Sequence, residues 1–303
     1  MSRTCILILG MHRSGTSLVA KATHLWGADS GPAELLVPAR KWNPEGYWEH
    51  APLVRFNDRL LAAVRATWFL PPSAAGEAAL QALASDVHWK SEALSLIAGM
   101  QSDNKQSWFW KDPRLGLTLP FWLRVSADPI FVIAARHPQA VARSLAHRNC
   151  FPVDASLLLW SRYVLSILTH VPATAPRVVI DFERLLAQPA DTCRTLAHFL
   201  QTWCGGDKTG PEIIDRMAQA VRRELNHHSP QAAHPDYDTE LPMLYQAYYE
   251  RLRNADRLPE PQQNLHVLSL PVHWREVLAR RLFAASAGIA GRTGTVVHTR
   301  SSA

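Results

Sequence analysis

The 303-residue chain has only four cysteines, Cys5, Cys150, Cys193 and Cys204, with no C-x-x-C pair and no histidine cluster beside them. Such spacing argues against a zinc site or a disulfide framework and suits reduced core thiols in a cytoplasmic protein. No apolar run approaches the ~18 residues of a membrane span. The first strand-like run opens about four residues in, which leaves no room for a signal peptide. Blocks of like charge are also missing. The formal charge is +6 and the pI about 9.3, yet the basic residues are spread along the chain. That distribution offers no nucleic-acid arm and fits an anionic small-molecule site. The histidines are scattered without metal-ligand spacing, so no metal is expected.

What is present is a large apolar fraction, 47%, enough for one sizeable α/β domain with helical additions. The runs "CILILG", "PIFVIAAR" (129–136) and "RVVIDF" (177–182) predict buried parallel strands, and "SWFWKD" (107–112) is a fourth candidate. Helical patterns follow the first run and cover 52–66, 77–101, 138–148, 154–170, 190–203 and 211–226. "PPSAAG" (71–76) is a breaker and "CGGDKTGP" (204–211) a loop. Without an internal repeat, the expected division is a domain over 1–260 and a basic, amphipathic extension over 261–303. "WREVLARRLFAASAGIA" in that extension reads as a surface helix, open to peripheral membrane contact.

After the first run comes "GMHRSGTS", with Gly10 and Gly15 separated by four residues. A strand, a glycine turn and a helix aim backbone N–H groups at one point, where the helix dipole favours an anion. In nucleotide triphosphatases a lysine follows the second glycine. Here Thr16 stands there, and the nearest cation is Arg13 inside the loop.

The stretch "GMHRSGTSLVA" resembles the 5′-phosphosulfate loop of sulfotransferases that use 3′-phosphoadenosine-5′-phosphosulfate (PAPS). Its arginine form is similar to tyrosylprotein and many bacterial carbohydrate-type members. The resemblance implies that His12, Arg13, Ser14, Gly15, Thr16 and Ser17 hold the donor, with Arg13 neutralising charge at the bridging oxygen. "VIAARHPQAVARSL" places Arg136 eight residues before Ser144, matching the family's R-x₇-S pattern for the 3′-phosphate. An arginine fork and a hydroxyl suit that group. "KDPR" (111–114) is similar to a segment whose lysine faces the sulfuryl group, which makes Lys111 catalytic; its local alternative is an ion pair with Asp112.

Sulfuryl transfer also needs a base for the attacking hydroxyl. "NPEGYWEH" (43–50) offers Glu45, Glu49 and His50, and the bacterial N-P-x-G-Y-x-E pattern selects Glu49. The plainer role for Glu49 is to cap the next helix. "VVIDFERLL" resembles V-x-Y-E-x-L with Phe182 in place of tyrosine, so that hydroxyl is not carried over. Arg222, Arg223 and His227 lie where relatives fold a loop over the nucleotide, and Trp42, Trp48 and Trp68 are candidates for stacking on a sugar or adenine.

Spanning roughly 4–203, the resemblance implies metal-free, in-line transfer from PAPS to a hydroxyl. A glycan or glycolipid acceptor is expected, with protein tyrosine open. The rivals are a P-loop kinase using ATP, with Ser17 on magnesium, and a non-catalytic nucleotide sensor.

Overall fold

The computed structural model describes residues 3–40, 43, 46–100, 106–206, 208–221, 243–256 and 273–282. All four apolar runs become strands: β1 (Thr4–Leu9), β2 (Ser107–Lys111), β3 (Ile130–Ala135) and β4 (Arg177–Asp181). They form one parallel sheet in the order β2-β1-β3-β4. Alternation within each strand explains the apolar runs. Leu7, Leu9, Trp108, Trp110, Phe131 and Ile133 face one core, while Ile6, Ile8, Phe109, Ile130 and Val132 face another. A sheet covered on both faces has no polar side to show, so its strands read as continuous apolar segments.

On the second face lie α1 (Thr16–Trp26), α8 (Phe182–Ala187), α9 (Pro189–Cys204) and α10 (Pro211–Gln219). The first face carries α2 (Ala51–Ala63), α3 (Ala74–Leu83), α4 (Val87–Gly99), α5 (Leu115–Val125), α6 (Pro138–Asn149), α7 (Val153–His170) and α11 (Met243–Arg253). The α/β class and the parallel sheet are as the sequence predicts.

Several boundaries differ for local reasons. The single helix expected over 77–101 is two, because Asp86 caps a fresh start by accepting from the amides of His88 (2.9 Å) and Trp89 (3.1 Å). Ser73 caps α3 in the same way, so the breaker over 71–76 already contains that helix's first turn. Cys150 is no core thiol: it ends α6 in a left-handed conformation (φ 55) and is exposed, whereas the other three cysteines are buried.

Part of the extension's expected helix is described, over 274–282. Trp274, Leu278 and Leu282 of the helical segment 274–282 are buried in the main core, and the Arg162 guanidinium lies 4.3 Å from the Trp274 ring centroid. The segment is a surface helix as expected: its apolar stripe packs on the core, while Glu276, Val277, Arg280 and Arg281 are exposed. No single helix among the described residues is long and apolar enough to cross a membrane.

From β1 the chain goes to β2 on one side and then to β3 on the other. Such a reversal opens a crevice beyond the carboxyl ends of the strands. There the loop after β1, Lys111 at the end of β2 and Arg136 just past β3 come together.

Candidate active site

The loop between β1 and α1 is tight because three residues accept left-handed backbone: Gly10 (φ 146), Arg13 (φ 69) and Gly15 (φ 82). A Cβ on Gly10 would stand 2.8 Å from the Ala134 carbonyl oxygen, and one on Gly15 would overlap the Phe182 ring at 2.2 Å. Only glycine permits both the conformation and the approach. The Ser14 amide donates to the Met11 carbonyl (3.1 Å) to close the turn. No side chain caps α1 and no acidic residue sits in its first turn. Its N-terminal amides and dipole are thus directed at the crevice with no acidic residue in the helix's own first turn.

One cluster gathers around Arg13. Its Nε donates to Ser144 Oγ at 2.7 Å, while Arg136 donates an N–H to the Arg13 carbonyl at 2.8 Å. The two sequence motifs, more than a hundred residues apart, therefore meet in one place. Arg136 is 5% exposed and its guanidinium lies 4.5 Å from the Phe182 ring centroid. Arg148, one helical turn past Ser144, completes the cluster; sequence reading passed over it. It is half-buried, donates to Asn149 Oδ1 (2.7 Å), lies 5.9 Å from the Trp68 ring, and has no carboxylate partner among the described residues. Burial, then the charges of Arg148 and Arg136, pulls the Arg13 pKa down to about 10. A buried group of like charges is held at a cost that an anion would relieve.

The second cluster is built on Lys111, which is 2% exposed. Its ammonium donates to Glu49 Oε1 (2.6 Å), the Tyr47 carbonyl (2.9 Å) and Ser17 Oγ (3.1 Å), one acceptor for each of its three N–H bonds. Asn43 Nδ2 also donates to Ser17 Oγ at 3.0 Å. Glu49 does not cap α2, whose N-cap is His50 with no side-chain bond. Backbone geometry brings Glu49 to Lys111. Trp48 has φ 56, which turns its ring toward α1 beside His24 (4.8 Å between centroids) while the flanking Tyr47 carbonyl and Glu49 side chain both reach Lys111. The Val37 amide fixes the Glu49 carbonyl at 2.7 Å.

His50 is buried beside Gly31, with both ring nitrogens lacking hydrogen-bond partners among the described residues. Burial, then Arg55, lowers its pKa. The rival Glu45 lies outside the described residues, as do Trp42, Arg222, Arg223 and His227.

Asp112 does not pair with Lys111. It accepts from Asn57 (2.9 Å) and from Arg114 (3.0 Å), and Arg114 also pairs with Asp58 at 2.6 Å. This network braces the strand end that carries Lys111. His12 turns away from α1, packing 4.6 Å from Trp68 and 6.0 Å from Tyr163. Burial and then four cations, Arg114, Arg148, Lys111 and Arg13, hold its pKa well below the usual imidazole value, so it is neutral. Trp68 stacks on Phe151 (5.7 Å) and walls the crevice beside Arg148; Trp48 packs into the α1 side instead.

Against known proteins, the model of the sulfotransferase family matches residues 5–203. No curated protein matches the chain. Among solved structures, it is similar to the sulfotransferase domain from the Synechococcus PCC 7002 olefin synthase. There the TM-score is 0.47 and the identity 17%, over 86% of this chain and 97% of that one. It is also similar to the sulfotransferase domain from the curacin biosynthetic pathway, with a TM-score of 0.39 and 16% identity over 93% and 98% of the two chains.

Proposed function

The chain belongs to the sulfotransferase family, and on that footing we propose that it transfers a sulfuryl group from PAPS to a hydroxyl acceptor, a glycan or glycolipid being favoured. The observation that carries the reading is the Arg13–Ser144 hydrogen bond, which joins the glycine loop to the helix after β3 in one cationic cluster. The residues present suit such a donor: guanidinium groups for a 3′-phosphate, and loop amides with Ser17 and Lys111 for the phosphosulfate.

When bound, the donor supplies a sulfuryl group on a phosphate leaving group. Glu49 takes the proton as the acceptor oxygen bonds to sulfur and the sulfur–oxygen bond to phosphate breaks. Lys111, Arg13 and the α1 amides hold the negative charge that develops on the sulfuryl oxygens and the departing phosphate. Charge balances: Glu49 ends protonated and adenosine 3′,5′-bisphosphate leaves with the bridging electrons. In accepting a sulfuryl oxygen, Lys111 exchanges one of its three present acceptors.

Cytoplasmic residence and a role for the extension over 261–303 belong to the same proposal, and protein tyrosine is the second acceptor class. Calorimetry with adenosine 3′,5′-bisphosphate and AMP tests the donor. A charge-assisted contact to the 3′-phosphate is expected to favour the bisphosphate by roughly ten- to a hundredfold. Equal affinities would overturn the donor reading. ³⁵S-labelled PAPS offered with glycan, glycolipid and tyrosine-peptide acceptors separates the acceptor classes.

A further inference from the structure

We propose that Glu183 and Tyr249 are positioning residues that fix the Arg136 guanidinium, so that helix α11 governs recognition of the donor's 3′-phosphate through that arginine. This rests on the donor reading above. Arg136 is held from three directions: its N–H on the Arg13 carbonyl, its face on Phe182, and its Nε 4.0 Å from Glu183 Oε1. Glu183 is itself held by the His137 amide (3.3 Å) and by the Tyr249 hydroxyl (3.2 Å).

The same hydroxyl stands 3.2 Å from Asp181 Oδ2, and Asp181 is fixed in turn by the Arg184 amide (2.8 Å) and Arg253 Nε (2.6 Å). A hydroxyl has one proton, so Tyr249 serves one carboxylate at a time and couples the two. The result is a chain of contacts from α11 to Arg136 that passes through Glu183.

A stability role alone does not account for this arrangement. Glu183 sits in a site where burial and the neighbouring Asp181 both work against its charge, raising its pKa. The Arg136 guanidinium and the amides of Glu183 and His137 offset part of that cost. What the carboxylate adds is a directed attraction on Arg136. Phe182 stands where the resembling segment has tyrosine, and the hydroxyl facing these two carboxylates is that of Tyr249 on α11.

The test is calorimetry of the full chain with adenosine 3′,5′-bisphosphate and with AMP, on the wild type, Glu183→Gln, Tyr249→Phe and each paired with Arg136→Ala, alongside thermal melts. The wild type is expected to prefer the bisphosphate. Glu183→Gln should still melt cooperatively yet lose about five- to tenfold of that preference, with AMP affinity unchanged, and Tyr249→Phe should lose about two- to fivefold. Both losses should vanish in the Arg136→Ala background, because the effect runs through that arginine. A preference left intact in either folded variant, or an equal loss for both nucleotides, overturns the proposal. A wild type without any preference overturns the donor reading first and this proposal with it.

Discussion

Lys111 and Arg148 are both cations withdrawn from solvent at the mouth of the sheet, and they are treated in opposite ways. Lys111 has an acceptor for every N–H and a carboxylate at 2.6 Å. Arg148 has an amide oxygen and an aromatic face, and its pKa is lowered by burial. The first arrangement is balanced within the protein, so chemistry there means exchanging partners during the reaction. In the second, positive charge exceeds negative, which stores affinity for an anion brought from outside. On the proposed reading, one crevice divides into a proton-moving side at Glu49 and an anion-holding side at Arg13, Arg136 and Arg148.

The sharpest way to break that division is Glu49→Gln. The amide keeps the size and an oxygen for Lys111 but cannot take a proton. Turnover is expected to fall ~10²–10⁴-fold while affinity for adenosine 3′,5′-bisphosphate stays within a few-fold. Steady-state rates beside calorimetry check this. A normal rate in Glu49→Gln would move the base to Glu45 or His50.

Next in size is stability. Lys111→Ala leaves the Glu49 carboxylate buried without its ion partner, and breaking such a pair costs about 3–5 kcal/mol. Arg148→Met removes a cation that has no carboxylate partner among the described residues and keeps the stem. It should leave stability unchanged within about 0.5 kcal/mol or raise it, while weakening the bisphosphate. Denaturant unfolding of the two variants gives the comparison. Equal destabilisation would mean that both cations are balanced within the protein.

The two sides were not equally legible in the sequence. The anion side is written locally: Gly10, Gly15 and Arg13 lie within six residues, and Arg136 and Ser144 keep a fixed spacing after an apolar run. Arg148 escaped because nothing marks the residue one turn past Ser144 until α6 is laid against Trp68. The base was ambiguous because Glu45, Glu49 and His50 share one short segment; of the two that are described, Glu49 meets Lys111, next to the positive φ at Trp48. Helix α5 was missed since its "LGLTLPFWLRV" is buried almost all round and contains Pro120, leaving no polar stripe to give a period. The extension's surface helix was legible from its apolar stripe, but such a stripe looks the same whether it meets lipid or core. Tyr249 was unreadable because its partners lie 66 and 68 residues away.

The smallest effect expected is in His12, and it tests whether the cations really crowd together. Burial is the first cause of its lowered pKa, and Arg114, Arg148, Lys111 and Arg13 follow. The folded pKa lies below that of the unfolded chain, so the unfolded state binds the proton more readily. The neutral imidazole therefore contributes stability that is present above about pH 6.5 and is lost as pH falls toward the folded pKa. His137, with a pKa lowered to about 4 by burial, acts in the same direction. His12→Gln should accordingly flatten the acid limb of a melting-temperature profile without abolishing it. NMR titration of the His12 ring adds a sharper reading. A bound bisphosphate offsets the surrounding cations and should move the His12 pKa upward, while His50, whose lowering comes from burial and then Arg55, should shift less. An ordinary pKa near 6.5 for His12, unmoved by nucleotide, would place the imidazole outside the cationic cluster and remove the electrostatic argument for an anion beside it.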